Sequence, residues 1–340
     1  MNLSECSRRT RVANMPLFAV ALCTAIAGLP AFSAYAQSAA YPDRPIRLIV
    51  PFPPGSATDV VARQVGPKIA EHIGQGIIIE NRAGGSGVIG ATAVAKATAD
   101  GYTLLFGTAP TNAIAPSWDK NLPYDALKDF APVAGLTTAP YVFAITSTLP
   151  PHSVKELIAY AKSRPGELNY ASTGNGTGVH LAGVFFGSRA GIDIKHIPYN
   201  AVGPMSLDLG SGVVHMIFYP HQGLLPLIQT GKVRVLATTG AKRSALLPEV
   251  PTLQEQGVAD FALVSWQGIY APAGTPPDRV NLLYEAIRKT MTDAKVAASI
   301  ALSGNTVELS DPLEFAAFTK REVERYRQII QASGVSKATP

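Results

Sequence analysis

The feature of the sequence that most constrains its fold is an alternation of short β-branched runs with amphipathic segments along most of the chain. Short runs rich in Val and Ile are typical of buried strands, and the longer stretches between them predict helices. This alternation predicts an α/β fold with parallel sheets covered by helices on both faces. The predicted strands are residues 46–50, 77–80, 103–106, 142–146, 168–171, 194–197, 214–218, 233–238 and 268–271, and the C-terminal part is predicted to be helical at 279–290, 295–302 and 312–332.

The first 36 residues have the three-part pattern of a secretory signal peptide. Arg8, Arg9 and Arg11 supply a positive region, residues 15–29 are almost entirely apolar, and the segment 34–36, Ala-Tyr-Ala, offers a cleavage site. Because the apolar run is shorter than the roughly 20 residues of a membrane-spanning helix, we expect cleavage and a periplasmic protein rather than a retained anchor. The general secretory and twin-arginine export routes both stay open.

The residue types that follow this leader exclude several kinds of chemistry. Both cysteines, Cys6 and Cys23, lie in the leader, so the exported chain is expected to have no disulfide, thiol nucleophile or thiolate metal ligand. The sequence has a net charge of +5, and its basic residues are scattered, which gives nucleic acid no basic patch to bind. The remaining length exceeds what one hydrophobic core usually organises and therefore predicts two lobes.

Turns rich in glycine, serine and threonine follow several predicted strands and lead directly into predicted helices. Each turn would place free backbone N–H groups and a helix N-terminus at the carboxyl end of a sheet, where anions bind. Two of the turns lie before residue 140 and two after it, so we expect both lobes to present helix N-termini to one shared ligand. The turns are residues 53–56, 83–87, 172–178 and 200–204, and the helices that they open are 57–73, 88–97, 179–189 and 205–209.

One of these turns permits a second function. Residues 85–90 fit the dinucleotide fingerprint G-x-G-x-x-G after a strand and before a helix, which would suit an exported oxidoreductase. That fingerprint also needs an acidic residue at the end of the next strand to hold the ribose, and the segment 105–108, Leu-Phe-Gly-Thr, has none. We therefore favour the interpretation that residues 85–90 form a generic anion-binding turn or contain glycines needed for packing. No cofactor is expected.

The sequence offers neither a metal site nor a catalytic pair. None of the six histidines has a second histidine four residues away or an acidic companion at metal-ligand spacing. The hydrolase motif G-x-S-x-G is also missing, because residues 84–88, Gly-Gly-Ser-Gly-Val, lack its final glycine. We therefore expect a binding protein rather than an enzyme, in which His180 is a structural residue near the cleft.

Aromatic residues lie at or near the ends of several predicted strands, where they can line a cleft or complete the core. Phe218 is expected in the core, whereas we place Tyr199, Tyr219 and Trp266 in the binding cleft. Rings at these positions would stack on a planar ligand, so they favour a planar or aromatic carboxylate.

The start of the first predicted helix carries a capping signal. Ser56 and Asp59 have the spacing of a capping box, in which each side chain accepts a hydrogen bond from a backbone amide. Asp59 is therefore expected to cap or orient its turn rather than to contact an anionic ligand.

Six ordered motifs give the chain a family resemblance from residue 41 to about residue 330. Together they resemble the Bug-type solute-binding receptors of tripartite tricarboxylate transporters. The motifs are 51–55 (Pro-Phe-Pro-Pro-Gly, after Tyr-Pro at 41–42), 80–82 (Glu-Asn-Arg), 170–176 (Tyr-Ala-Ser-Thr-Gly-Asn-Gly), 231–237 (Gly-Lys-Val-Arg-Val-Leu-Ala), 248–253 (Pro-Glu-Val-Pro-Thr-Leu) and 271–276 (Ala-Pro-Ala-Gly-Thr-Pro).

The resemblance implies a periplasmic-binding-protein fold of the Venus-flytrap, type II-like class, with two doubly wound lobes and a hinge of two crossing segments. Residues 1–36 would be the signal peptide, 37–140 plus 265–340 lobe one, and 141–264 lobe two. It also implies carboxylate binding through main-chain amides and hydroxyl groups of the glycine turns. By position, it assigns to the ligand site Gly55, Ser56, Gly87, Ser172, Thr173, Asn175, Thr177 and Tyr199.

The resemblance further implies a ligand class and a membrane partner. A monomer would capture a small organic carboxylate, either a dicarboxylate or an aromatic carboxylate, and deliver it to membrane transporter subunits. A sensory role for the same fold, with a different membrane partner, stays open. The sequence departs from the family pattern near the ligand, with Ser56 in place of a second glycine, and ligand identity stays open for that reason.

Overall fold

The computed structural model describes residues 41–333, so the leader and its cleavage site lie outside the described residues. Within that range the chain forms two β-sheets with helices packed against them. Helices α1 to α10 are Ala57–Ile73, Val88–Ala95, Ala115–Trp118, Val154–Lys162, Gly178–Ala190, Val202–Ser211, His221–Gln229, Pro277–Met291, Ala294–Leu302 and Pro312–Ser333. Strands β1 to β11 are Ile46–Val50, Ile77–Asn81, Thr103–Thr108, Phe130–Pro140, Val142–Thr146, Asn169–Ser172, Lys195–Pro198, Met216–Tyr219, Val233–Thr238, Val264–Pro272 and Thr306–Ser310.

The first sheet has the strand order β11-β4-β10-β3-β1-β2, and the second has the order β7-β6-β8-β5-β9. In the first sheet β1 pairs in parallel with β2 and β3, whereas β10 runs antiparallel to β3 and β4. In the second, β6 is parallel to β7 and β8, and β5 is antiparallel to β8 and β9. The prediction of α/β lobes with helix-covered sheets is confirmed, but the prediction of purely parallel sheets is wrong because both sheets are mixed.

The antiparallel pairing comes from the strands that carry the chain between the two sheets. β4 ends at Pro140 in the first sheet and β5 begins at Val142 in the second, so the first crossing is made at Tyr141. The chain returns between Thr238 and Val264. A strand that enters or leaves a sheet in this way need not follow the βαβ direction of its neighbours. The limits of whole lobes given above stay a prediction.

β4 and β11 were not predicted from the sequence, and β10 was predicted only in part. β4 contains Pro132 and Gly135, two residue types that are depleted in strands, and its pairing with β10 is interrupted by register shifts. Tertiary pairing with β10 on one side and β11 on the other stabilises this segment despite its weak local propensity.

Large side chains from both sheets pack into one continuous core at the crossings. Phe143 on β5 stacks on Phe218 of β8 with ring centroids 4.3 Å apart, and both rings are fully buried. Tyr141 at the first crossing and Trp266 on β10, just after the second, belong to the same cluster. Burial of such rings contributes roughly 25 cal/mol per Å² of apolar surface, so this cluster stabilises the region where the two sheets are joined.

Candidate ligand-binding cleft

A cleft of about 450 Å³ lies between elements of the two sheets. Its volume falls within the range of roughly 300–1,000 Å³ that small-molecule sites occupy. The lining comes from the start of α1, the start of α7, both crossings and the turn between α9 and β11. The lining residues are Gly55, Ala57, Val60, Ala139, Pro140, Tyr141, Tyr219, Pro220, His221, Gln222, Gly223, Ser265, Gln267, Ser303, Gly304 and Asn305.

The electrostatic character of this lining is neutral and polar. It includes no carboxylate, lysine or arginine side chain. His221, the titratable ring at the start of α7, has its pKa lowered by burial, which favours the neutral imidazole. An anion in the cleft would meet amides and hydroxyl groups without like-charge repulsion.

The turn that opens α1 brings backbone amides to the cleft. Gly55 adopts a left-handed conformation with φ +79°, and Ser56 Oγ accepts a hydrogen bond of 3.2 Å from the Asp59 amide. The amides of Ala57 and Thr58, in the first helical turn, have no intrahelical acceptor because no carbonyl lies one turn before them in the helix. The N-terminal end of α1 borders the cleft. These two donors and the positive end of the helix dipole are therefore directed toward it.

Asp59 holds this turn in place. Its buried carboxylate accepts hydrogen bonds from the Gly55 amide at 2.8 Å, Asn81 Nδ2 at 2.8 Å and Arg63 Nε at 2.9 Å. Burial acts to raise the pKa of Asp59, but the hydrogen bonds from Arg63, Gly55 and Asn81 outweigh it, so the pKa is lowered and the group stays ionised. The capping role predicted for Ser56 is confirmed, and the return bond goes to Gly55 rather than to Ser56.

A second glycine turn, residues 172–177, leads into α5 and is held by different groups. Thr177 Oγ1 accepts from the His180 amide at 3.3 Å and donates to the Gly174 carbonyl at 2.8 Å. His180 Nδ1 accepts from the Gly176 amide at 3.2 Å, and Ser172 Oγ lies 2.6 Å from His196 Nε2. The turn is therefore anchored by two imidazoles rather than by a carboxylate.

These two histidines form a close pair in which His180 is buried and His196 is half-buried. The His180 and His196 ring centroids are 4.1 Å apart. Burial lowers the pKa of each to about 4, and for His180 the neighbouring His196 lowers it further. Both rings are thus neutral at ordinary pH. His180 is the structural residue that the sequence predicts, whereas His196 was missed because its contact with Ser172 arises from the pairing of β6 with β7.

The structure brings only part of the predicted site into this cleft. Gly55 and Tyr219 line it, and Ser56 caps the adjoining helix. Gly87 is buried, and a Cβ added to it would lie 2.6 Å from the Thr111 side chain, so close packing accounts for this glycine. The other predicted contacts are not among the lining residues, and their part in binding stays a prediction. They are Ser172, Thr173, Asn175 and Thr177 on the α5 turn and Tyr199, whose hydroxyl donates to Asp208 at 2.6 Å.

Trp266 corrects the sequence analysis. Its indole is 1% exposed, donates from Nε1 to Glu322 Oε2 at 3.2 Å and packs against Phe315 and Phe318. Side chains alternate between the faces of a strand, so the neighbours Ser265 and Gln267 line the cleft while Trp266 faces α10. The expected cleft position for Trp266 is wrong, and the indole belongs to the core.

Residues that the sequence analysis missed complete the cleft. Gln222, at the start of α7, packs against Gly304, where an added Cβ would collide with the glutamine side chain. On another part of the interface, Trp118 of α3 lies against Gly176, whose added Cβ would be 2.9 Å from the indole nitrogen. These two contacts join elements of the first sheet to elements of the second. They involve segments far apart in the chain, so no local sequence pattern predicts them.

The dinucleotide alternative lacks the acidic residue that it needs. Gly90 lies so close to β1 that an added Cβ would be 2.9 Å from the Pro51 Cα and 2.8 Å from the Arg82 carbonyl oxygen. The next strand, β3, ends at Thr108, whose amide donates to Thr111 Oγ1 at 3.0 Å. Close helix–strand packing is also the role of the third glycine in a dinucleotide fingerprint, so Gly90 does not decide between the two readings. The segment 105–108 at the end of β3 carries no acidic side chain for a ribose, and this weighs against the dinucleotide.

Among residues 41–333, no helix combines the length and the apolar character that a membrane span requires. Within the same described range, no group of three or more His, Cys, Asp or Glu side chains is arranged to hold a metal ion.

Two α/β lobes joined by two crossings, with helix N-termini at the cleft between them, define a two-lobed solute-binding protein. Residues 61–335 match the profile of the family described as tripartite tricarboxylate transporter family receptor. The chain is 37% identical to Protein BugT of Bordetella pertussis over 295 residues, which cover 86% of this chain and 90% of BugT. The chain therefore belongs to this receptor family, as its motifs predict.

Solved structures share the fold. The R. palustris protein Rpa4515 with adipate has a TM-score of 0.77 at 34% identity, over 87% of this chain and 99% of that chain. MatC (Rpa3494) from Rhodopseudomonas palustris with bound malate has a TM-score of 0.74 at 30% identity, over 85% of this chain and 100% of that chain. The predicted Venus-flytrap class is confirmed.

Proposed function

We propose that this protein captures a small organic carboxylate between its two lobes in the periplasm and delivers it to the membrane subunits of a tripartite tricarboxylate-type transporter. The single observation that carries the proposal is the cleft itself. Its lining has no acidic side chain, and the free first-turn amides of α1 adjoin it. The adipate and malate in the two related structures support a carboxylate as the ligand class for this chain too.

Binding would proceed by closure of the lobes about the ligand. The amides that follow Ser56 would receive one carboxylate group, and the segment after Tyr219 would approach the ligand from the second lobe. A ligand that contacts both lobes stabilises the closed form relative to the open one, because some of its contacts exist only when the cleft is shut. The membrane partner would distinguish the two forms by shape.

The ligand is expected to be aliphatic rather than aromatic. The preference for a planar ligand depended on rings at three positions, and Trp266 is in the core while the Tyr199 hydroxyl is bonded to Asp208. Tyr219 and Tyr141 are the aromatic residues of the cleft lining. Aliphatic dicarboxylates are therefore the first ligands to test, with aromatic acids as the second group.

The protein is proposed to act without covalent chemistry, as a monomer, and with a transporter rather than a sensor as its partner. Ligand release to a membrane complex requires only reopening of the cleft, so no catalytic group is needed. Reconstitution with candidate membrane subunits separates transport from sensing, since only a transporter would move labelled ligand into vesicles.

The test is a thermal-shift screen of the mature protein against aliphatic and aromatic mono-, di- and tricarboxylates, with calorimetry on each hit. A ligand at 100 times its dissociation constant raises the free energy of unfolding by about 2.7 kcal/mol. We expect a saturable shift with one class of acid and none with nicotinamide dinucleotides. A shift with a dinucleotide alone would contradict the proposal.

A variant locates the site. Ala57→Phe places a ring in the cleft lining at an exposed position of α1, so we expect at least a tenfold loss of affinity with an unchanged unfolding midpoint. Ala298→Phe, at an exposed position of α9, is the matched control and should bind as the unmodified protein does. Equal affinity in both variants would place the ligand elsewhere.

A further inference from the structure

We infer that Gln222 is a ligand-binding residue of the second lobe, and that its carboxamide donates a hydrogen bond to one carboxylate group of a dicarboxylate held in the cleft. This inference rests on the proposed function, because it names the chemistry of the ligand in the same cleft. The position of the Gln222 side chain and its unused hydrogen-bonding groups support it.

The side chain of Gln222 reaches from the second lobe to the first at the wall of the cleft. Gln222 is on α7, whose Leu224 packs in the core of the second sheet, whereas Gly304 follows α9, whose Ile300 packs in the core of the first. Both Gln222 and Gly304 line the cleft. A Cβ added to Gly304 would collide with Nε2, Oε1 and Cδ of Gln222, so the carboxamide itself lies against this glycine. A ligand between the lobes can therefore reach the end of the side chain.

Gly304 leaves the space that the carboxamide occupies. Its φ of +80° is left-handed, and its amide donates to the Ala301 carbonyl at 2.9 Å, as expected of a glycine that ends a helix. Gly231 has a similar conformation, with φ +66°, but nothing lies within 4 Å of a Cβ added to it. The helix end thus explains the backbone of Gly304, whereas the contact with Gln222 is a separate feature of the interface between the lobes.

The carboxamide of Gln222 has unused hydrogen-bonding groups. Gln222 is half-buried, and neither Nε2 nor Oε1 is fully enclosed by protein. Within residues 41–333 neither atom forms a hydrogen bond. By contrast, Asn305 donates from Nδ2 to the Ser303 carbonyl and hydroxyl, both at 3.2 Å, and Ser265 is hydrogen-bonded to Tyr141. The amide of Gln222 is therefore free to bind a ligand.

The chemistry of the cleft favours a carboxylate as the partner of this amide. A carboxamide nitrogen carries two N–H donors, and an ionised carboxylate has only acceptors. The lining has no lysine or arginine that would compete for the anion and no carboxylate that would repel it. One carboxylate group of the ligand can accept from the first-turn amides of α1 on the first lobe, and the other can accept from Gln222 on the second. A dicarboxylate would then be held from both sides when the lobes are closed.

The experiment is calorimetry with succinate, malate, glutarate and adipate on the unmodified protein and two variants. Gln222→Met removes both donors at similar length, so the affinity for the acids that bind should fall about tenfold or more. Gln222→Glu places a carboxylate in a lining that has none and repels the ligand, so the affinity should fall about a hundredfold or more. The same two substitutions at Gln229, an exposed residue at the other end of α7, are the matched controls and should leave the affinity unchanged.

A substitution at Gly304 tests the position of the carboxamide independently. Gly304→Ala places a methyl group where the carboxamide lies, and because the end of a flexible side chain can move aside, we expect the protein to fold and the affinity to fall about tenfold. Gly231→Ala imposes the same left-handed strain where space is open, so it should lower the unfolding midpoint by a similar amount and keep the affinity. In the Gln222→Ala background, Gly304→Ala should cause no further loss of affinity, because the amide that it displaces is gone.

The outcomes separate the inference from the proposed function. If Gln222→Met and Gln222→Glu bind these acids as tightly as the unmodified protein does, the inference is overturned while carboxylate capture survives. A further loss of affinity from Gly304→Ala in the Gln222→Ala background would overturn the placement of the carboxamide at the ligand. If the protein binds monocarboxylates alone, the inference fails and the proposed function stands. If no carboxylate of any kind binds, both fail.

Discussion

The turns that open α1 and α5 are each held by one side chain, which is ionised in the first turn and neutral in the second. In the first, an ionised carboxylate, Asp59, accepts the Gly55 amide and is compensated by Arg63. In the second, a neutral imidazole, His180, accepts the Gly176 amide and is backed by His196. Each turn is held by a side chain from the helix that it opens, so its backbone conformation is stabilised by local hydrogen bonds. The difference predicts that the two turns respond differently to acid.

Of the changes considered, acidification is expected to lower the free energy of unfolding most, and to act through the histidines of the second turn. The folded pKa of His180 and of His196 is about 4, whereas an unfolded histidine has a pKa of about 6.5. Between these values the unfolded chain binds protons that the folded chain does not, so the free energy of unfolding falls as the pH falls from 6.5 toward 4. Each such shift corresponds to about 3 kcal/mol at pH 4, and the half-buried His196 contributes less than His180, so the total loss should be roughly 3–6 kcal/mol, measured by urea unfolding at a series of pH values.

The same pH range should leave the first turn intact. The pKa of Asp59 lies below its ordinary value, so the stability that its ionised form contributes is lost only as the pH falls through that lowered pKa. Hydrogen exchange at pH 5 should therefore show weakened protection around Gly176 and full protection around Gly55. His180→Asn should reduce the pH dependence, and substitution of the exposed His72 should not; equal loss of protection at both turns would contradict the comparison.

Removing the carboxylate is expected to have the next largest effect, and on the other turn. Asp59→Ala leaves the Gly55 amide without its acceptor and removes one of the two acceptors of Asn81 Nδ2, so the free energy of unfolding should fall by about 2 kcal/mol and carboxylate affinity should fall with it. Denaturant unfolding and calorimetry measure the two losses. Glu71→Ala, which breaks the exposed pair with Lys68, is the control and should change stability little. The same small change for Asp59→Ala would show that the first turn does not need its anchor.

The smallest effects should come from the feature that both turns share. Ser56 and Thr177 are the N-caps of α1 and α5, and each accepts a backbone amide with its hydroxyl oxygen. Each substitution to alanine should cost about 1 kcal/mol in unfolding free energy. The costs should add in the double variant, because the two caps share no partner. Non-additivity beyond about 0.5 kcal/mol would mean that the turns are coupled.

The strands and turns were predictable wherever local propensity and tertiary context agree. β1, β5 and β9 have the bounds that their β-branched runs predict, and α1 begins where Ser56 signals a cap. β4 was not predictable because Pro132 and Gly135 give it the local signature of a loop. The cleft lining was predicted only at Gly55 and Tyr219, because the sequence carries no signal that Gln222, Gln267 and Asn305 meet in space.

The class of the protein could be identified from short segments of its sequence. These are the spacing of β-branched runs, the glycine turns before helices and the six ordered motifs, and they specify local structure through backbone propensity and capping. Which side chains face the cleft depends instead on how the strands pair. A strand turns alternate residues to opposite faces, so the pairing of β10 with β3 and β4 determines that Gln267 borders the ligand cleft while Trp266, one residue earlier, is in the core.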